Sequence, residues 1–418
     1  MTTVIVAGAG LAGLIAARHL AKLGVHVQVF EREDEAGGRV RSRKQDGFIL
    51  DRGFQVLFTS YPAAKRELDY DELDLRYFSP GAVLARPGSR SVLADPFRDP
   101  HALFESATNR EVSIGDKIRT VQLRQELTRK PNRDIFDGDD ESIEEYLHKR
   151  GFSEQFRTRF AGPFYGGITL DRSLSTSKKV FEFTFKMLST GRTAIPADGM
   201  GAIAEQLADN ARKAGARIQF GESVSAVDVD GDMVEVEVGG ETITADAVVV
   251  AIDPKSAREL TGADSIPTDA LGCVTQYFAH DAPLDAGKRI LLNVADDAPN
   301  EIVPLSAVAP EYAPDERELL SATFLGVPDK SDDELAERVG ETLRAWYPER
   351  TFPNLERLHT DRIEFAQFAQ PPGIFNSLPG NRTGQDSVYL AGDFTEASSL
   401  NAAMESGRKV AHAVYEDL

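Results

Sequence analysis

Gly8, Gly10 and Gly13 stand in the spacing G-x-G-x-x-G, with Ala9, Leu11 and Ala12 between them. Glycine at the first position allows a tight turn. At the second it lets backbone approach a pyrophosphate, and at the third it lets helix and strand pack closely. A helix opening there aims unpaired N–H groups and a positive dipole end at the phosphates. Glu31 follows 18 residues after Gly13, with Arg32 beside it. An acid at that distance suits ribose hydroxyls and repels a 2′-phosphate. The expected chemistry is dinucleotide binding, with Gly8, Gly10, Leu11, Ala12, Gly13, Glu31 and Arg32 as candidate contacts. A glycine-rich turn without a ligand is the alternative.

Two further groups narrow the ligand. Gly37-Gly38-Arg39-Val40-Arg41-Ser42 allows a second close backbone approach, and Arg39 offers a planar fork to phosphate. Asp51-Arg52-Gly53-Phe54-Gln55 follows. Near the other end, Leu390-Ala391-Gly392-Asp393 places a carboxylate at the end of an apolar strand, within reach of a ribityl hydroxyl. The segment Asn401-Ala402-Ala403-Met404 opens a helix. Its N-terminus can face the N1/C2=O edge of a flavin, which gains negative charge on reduction.

The elements that must position these groups are legible. Val4–Ala7 reads as a short buried strand, Leu14–Leu23 as a helix stopped by Gly24, and Val25–Phe30 as a second strand ending at Glu31. Between about 55 and 195 helical patterns dominate. Ser142-Ile143-Glu144-Glu145 is a capping box, and a helix is expected over Thr176–Leu188. Gly199–Lys213 is an amphipathic helix. Val224–Val229, Val234–Val238 and Thr242–Thr244 read as hairpin strands, and Ala247–Ile252 as a fully buried parallel strand. Gly272–Ala279, Ile290–Val294, Leu320–Leu325 and Ile363–Phe368 read as antiparallel strands. A capped helix begins at Ser331, and the chain closes with strand Ser387–Ala391 and a helix from about Leu400 to Tyr415.

The fold class expected is α/β. A discontinuous Rossmann-like domain would comprise 1–60, 196–255 and 386–418. An interleaved α+β substrate domain, with a mixed or antiparallel sheet plus helices, would comprise 61–195 and 256–385.

These motifs together resemble the flavin amine oxidase superfamily, which includes monoamine and polyamine oxidases, protoporphyrinogen oxidases and phytoene or carotene desaturases. Pro163-Phe164-Tyr165-Gly166-Gly167 and Ile195-Pro196-Ala197-Asp198-Gly199-Met200-Gly201 look like the desaturase and protoporphyrinogen oxidase side. The resemblance implies FAD. Gly8, Gly10, Gly13, Glu31, Gly38 and Arg39 would hold its ADP half, with Val224 meeting the adenine through backbone. Gly53, Phe54 and Gln55 would lie by the isoalloxazine. Asp393 would bind the ribityl chain, with Gly392 beside it as a further cofactor contact and Asn401 and Ala402 at the pyrimidine edge.

The sequence also departs from that family's amine-oxidising members. Those place a lysine near flavin N5, and the alignment puts Gln276 there. They flank the flavin with two aromatic rings, and the alignment puts Ala366 and Ser399 there, with Phe365 or Phe368 able to supply one ring. An amine substrate is thereby disfavoured. The expected reaction is hydride removal from a C–H bond of an apolar substrate, in the manner of a desaturase or protoporphyrinogen oxidase. The alternatives are an amine oxidase with a variant site, a non-catalytic flavin-binding protein and a redox-neutral isomerase using reduced FAD. Gly199-Met200-Gly201 follows a proline-containing loop and not a strand, so no second dinucleotide domain is implied. Electrons would pass to oxygen, a quinone or another acceptor. No residue stands out as a catalytic base.

Composition bounds the remaining classes. The 418 residues carry a net charge of −20, a field that repels nucleic acid and anionic lipid and leaves peripheral membrane contact without support. Acidic residues number 67, with 14 lysines against 33 arginines, which resembles proteins of salt-loving archaea. One cysteine, Cys273, excludes an intrachain disulfide and reads as a small buried hydrophobe. The seven histidines show no metal-binding spacing, so no metal is expected. The strand pattern starting at Thr3 leaves no room for a leader, which points to the cytoplasm.

Overall fold

The computed structural model describes residues 2–94, 111–231, 233–295 and 298–418. Among them, two large sheets organise the chain. The first has five parallel strands: β1 (Thr3–Ala7), β2 (His26–Glu31), β3 (Arg217–Phe220), β4 (Ala247–Val250) and β5 (Val388–Leu390), in the order β3-β2-β1-β4-β5. Alternation along each strand assigns its two faces. Val4, Val6, Val27 and Val29 pack beneath three helices, α1 (Leu11–Lys22), α2 (Gly201–Lys213) and α3 (Leu400–Asp417). Ile5, Val248 and Val250 pack instead against the valines of an antiparallel meander, Val224–Asp230, Met233–Val238 and Glu241–Ala245. With both faces covered, the strands can be apolar throughout, as Ala247–Val250 is.

Helix α3 lies directly on α1. A Cβ at Gly407 would run into the Ala12 carbonyl, so the crossing depends on that glycine.

The second sheet has seven strands, in the order Glu356–Phe368, Ala270–His280, Glu318–Leu325, Glu301–Pro304, Ile290–Asn293, Ala82–Arg86 and Ser89–Leu93. Its pairs are antiparallel except Ile290–Asn293 with Ala82–Arg86. The outer face, with Val274, Phe278, Phe324 and Ile302, packs on the helix Asp332–Trp346. Ser331 caps that helix in a capping box with Glu334, and Ser142 with Glu145 does the same for Ile143–Lys149. The inner face is roofed by helices Ile114–Arg129, Ile143–Lys149, Gly162–Thr169 and Lys178–Thr190.

The segment expected to be helical between about 55 and 195 thus also supplies Ala82–Arg86 and Ser89–Leu93 to this sheet. Ala82–Ala85 is too short an apolar run for periodicity to distinguish strand from helix. Glu301–Pro304 was not foreseen either, since a glutamate and a proline at its ends argue against a central strand.

Candidate active site

The turn between β1 and α1 is built as its glycines require. Gly8 has φ +101°, and a Cβ there would stand 2.6 Å from the Ala251 carbonyl oxygen. A Cβ on Gly13 would strike the Gly8 carbonyl oxygen, so Gly13 serves helix–strand packing. Gly10 differs: no atom lies within 4 Å of its missing Cβ, so its exposed backbone faces open space. Gly10 also bridges Gly37, and the following Gly38 takes φ +59°.

Glu31, only 7% exposed, accepts the Ala9 N–H at 2.7 Å and the Glu33 N–H at 3.1 Å. Its carboxylate is thus fixed at the end of β2 with acceptor capacity to spare. Arg32 points outward at the rim beside Glu33 and Asp253.

Gly8, Gly10, Gly38, Glu31 and Arg32 line one end of a cavity of about 1450 Å³, together with Leu11, Ala12 and Val224, whereas Gly13 lies behind the wall. That exceeds the roughly 300–1,000 Å³ of an ordinary small-molecule site. A long dinucleotide and a second molecule fit the volume better than one ligand. The space over Gly10, the left-handed glycines around it and the anchored Glu31 suit the ADP half of FAD.

Farther along, Gly53, Phe54, Gln55, Gly392 and Asp393 line the same cavity. Gly53 has φ +74°, and its N–H donates to Asp361 Oδ2 at 3.3 Å. Gln55 donates its amide to the carbonyls of Arg39 and Arg52, holding that loop. Arg39 Nη2 donates to Asp393 Oδ1 at 2.6 Å and Nη1 to the Ala366 carbonyl at 3.1 Å. The fork expected to meet phosphate therefore meets the carboxylate expected to meet the ribityl chain.

At the N-terminus of α3 the wall is made by Ser399, Leu400 and Ala403. Asn401 and Ala402 sit one step behind it. Asn401 Oδ1 accepts the Ala63 N–H at 3.0 Å, and the Ala402 N–H is capped by the Ser399 hydroxyl at 3.1 Å.

The far end of the cavity is a chamber between the inner face of the seven-stranded sheet and the helical roof. Phe152, Phe156, Phe160 and Phe164 recur at every fourth residue, with successive ring centroids 4.5, 5.3 and 5.4 Å apart. A π-helical turn at Arg157–Ala161 lies within that ladder. Tyr165 stacks obliquely on Phe181 at 4.6 Å. All six rings line the chamber. Phe164 and Tyr165 belong to the segment that resembles the desaturase and protoporphyrinogen oxidase side. The i, i+4 phenylalanine spacing was the signal that would have found the others.

The position assigned to Gln276 needs correcting. Side chains alternate along Ala270–His280, and Gln276 faces away from the chamber. It donates to the Asp332 carbonyl at 2.7 Å and the Thr360 hydroxyl at 3.2 Å. Its neighbour Thr275 faces the chamber instead, 3.9 Å from where a Cβ on Gly53 would stand. A shift of one residue along a strand moves a side chain to the opposite face, so Gln276 does not line the chamber.

Cys273, two residues back, also lines the chamber, and burial pushes its thiol up to about 12, so it is a neutral wall atom. Ala366, Ser399 and Phe365 line the cavity, whereas Phe368 is buried in the core beneath β4 and β5. Among the described residues no cluster of metal-ligating side chains occurs, and no helix is long and apolar enough to cross a membrane.

A dinucleotide cradle opening into a largely apolar chamber fits an FAD-dependent oxidoreductase. The chain belongs to the flavin-containing amine oxidoreductase family, whose sequence pattern matches residues 11–415. It is 25% identical to hydroxysqualene dehydroxylase of Rhodopseudomonas palustris, over 99% of this chain and 98% of that protein. It is 31% identical to phytoene dehydrogenase of Streptomyces griseus, over 62% of this chain and 56% of that protein. In fold it is similar to an oxidoreductase from Methanosarcina mazei, with TM-score 0.76, 20% identity and coverage of 99% and 100% of the two chains. Putrescine oxidase bound to putrescine superposes with TM-score 0.72 at 17% identity, covering 99% of each chain.

Proposed function

We propose that this chain removes hydride from a C–H bond of an apolar, polyene-like or tetrapyrrole-like molecule held in the phenylalanine-lined chamber. The electrons would then go to oxygen, a quinone or another acceptor. The observation that carries the reading is the chamber wall, a ladder of four phenylalanines facing a sheet whose inner face is mostly uncharged. Such a wall gains by covering hydrocarbon. Relatives named for hydroxysqualene and phytoene, both long hydrocarbon-rich molecules, support the same substrate class.

FAD, when bound, supplies a two-electron oxidant for the C–H bond. The chain's own residues do the rest in this reading. Gly8, Gly10, Gly38 and Glu31 would hold the ADP half, Arg39 and Asp393 the middle, and Gly53 and Phe54 would lie by the isoalloxazine. The division into a discontinuous FAD-binding domain and a discontinuous substrate domain belongs to the same proposal. The aromatic roof excludes water and orients the substrate. Wall residues reach solvent at Val121, 41% exposed, beside the exposed Ile118 of the same helix, which offers an apolar molecule a way in.

The test is anaerobic flavin absorbance of the holoprotein in concentrated salt. A carotene precursor in detergent, hydroxysqualene, protoporphyrinogen and a mixture of amines are added separately. Bleaching by a hydrocarbon or tetrapyrrole donor is expected. Bleaching by amines alone overturns the substrate class.

A further inference from the structure

Four strands of the second sheet place one polar residue each in a single row. Asp361, Thr275, Thr323 and Glu301 are direct cross-strand partners and so share the inner face. At one end, Asp361 accepts the N–H of Gly53. At the other, Glu301 is only 2% exposed, yet it lines the chamber with Thr275, Thr323 and Cys273. Neither threonine hydroxyl makes a well-formed hydrogen bond among the described residues. A buried acid on this wall is costly, and no ion pair to it occurs among the described residues.

The surroundings of Glu301 keep it in place. Asn300 donates its amide to Glu301 Oε2 and to the Pro163 carbonyl, and Arg172 Nη1 holds Asn300 Oδ1 at 3.2 Å. The roofing helix comes close there because it carries Gly166 and Gly167. A Cβ on them would stand 3.3 Å from Asn300 Oδ1 and 3.4 Å from Glu301 Oε2. The glycine pair of the Pro163–Gly167 segment thus acquires a physical reason.

We propose that Glu301 is the proton acceptor of the oxidation, a catalytic residue that takes the second hydrogen of the substrate. The inference rests on the hydride-removal reading above. One C–H bond breaks and its hydrogen leaves with both electrons to bound FAD. The neighbouring C–H bond breaks, its proton passes to a Glu301 carboxylate oxygen, and its electron pair forms the C=C bond. The substrate loses two electrons and two hydrogens.

The charges around Glu301 suit this use. Burial drives its carboxyl up to about 7, opposed by the Asn300 amide and the positive charge of Arg172. The Cys273 thiol, on the same wall, is kept neutral by its own burial. A carboxyl that titrates near neutrality can both accept the proton and release it.

Glu301→Gln keeps the shape and the Asn300 contact, and Glu301→Asp shortens the reach. Both are compared with wild-type holoprotein in two measurements. Infrared titration of the resting protein is expected to show a protonated-carboxyl band that disappears around neutral pH and is missing from E301Q. Stopped-flow reduction by the active hydrocarbon or tetrapyrrole donor is expected to slow by about 100-fold or more in E301Q and to lose its pH dependence near 7, with dithionite reduction unchanged. Partial activity in E301D supports the assignment. An E301Q protein reduced by substrate at the wild-type rate overturns it, and so does a resting protein without the titrating band. If no C–H donor reduces the wild type, the hydride-removal reading fails, and the proton-acceptor assignment falls with it even when the band is present.

Discussion

Arg39 and Asp393, 354 positions apart, meet in an ion pair 2.6 Å long inside the cofactor cleft. Asp393 is held from its other oxygen by the Ser398 hydroxyl at 3.2 Å, and Arg39 by the Ala366 carbonyl. The pair ties the turn after β2 to the end of β5 across the cavity. Each residue thereby sets the direction of the other.

The first prediction follows from that pairing. Asp393→Ala should weaken FAD binding by about 10- to 100-fold, the scale of one charged hydrogen bond. Arg39→Ala should do the same, and the double variant should lose less than the two losses combined, because they share one contact. Titration of apoprotein with FAD, followed by flavin fluorescence, measures all three. Full retention of FAD by Asp393→Ala would sink the assignment.

The glycines should separate by role. Gly10→Ala adds a methyl into empty space, so the apoprotein should unfold within about 0.5 kcal/mol of wild type while FAD affinity falls. Gly13→Ala forces a methyl onto the Gly8 carbonyl and should destabilise the apoprotein by about 1–3 kcal/mol. Urea denaturation beside FAD titration distinguishes them. Equal destabilisation by both would show that Gly10 is also a packing residue.

Asp51 carries a pH signature. It is buried, accepts from the Ser42 hydroxyl at 2.5 Å, the Met200 N–H at 2.9 Å and the Tyr312 hydroxyl at 3.0 Å, and burial pushes it up to about 6. The folded state therefore holds this proton more tightly than the unfolded chain. Its stabilising contribution is complete below about pH 4, the ordinary aspartate value, and is lost as pH rises through 6. The stability of wild type relative to Asp51→Asn should drop by about 1–3 kcal/mol between pH 4 and pH 7. A difference independent of pH would mean that Asp51 stays ionised throughout.

Salt is the fourth variable. A net charge of −20 repels itself, and concentrated salt screens that repulsion. The apoprotein Tm is expected to rise by several degrees between about 0.1 and 2 M KCl. An unchanged or falling Tm would remove the support for a salt-adapted protein.

The sequence was most legible where local chemistry dictates backbone. The G-x-G-x-x-G turn, both serine capping boxes and the fully apolar β4 all lie where their patterns place them. It was least legible where tertiary packing decides. Gln276 and Thr275 differ by one position, and only the helix Asp332–Trp346, packed on one side, settles which of them faces the chamber. Glu301 gave no signal, since its burial comes from Gly166 and Gly167 on a distant helix. The Arg39–Asp393 pair was invisible because each half looked like a separate ligand group.

The five-stranded sheet has a consequence for biosynthesis. Its centre, β1, is flanked by β2 and by β4, which lies some 240 residues later, and the sheet is closed only by β5 at Val388–Leu390. During synthesis β1 lacks its second neighbour until Ala247–Val250 has been made, and α1 lacks its covering helix until Leu400–Asp417 follows. The dinucleotide cradle is thus completed by segments far along the chain from the glycine turn. Chains released before Leu400–Asp417 should emerge without flavin and be easy prey for proteases.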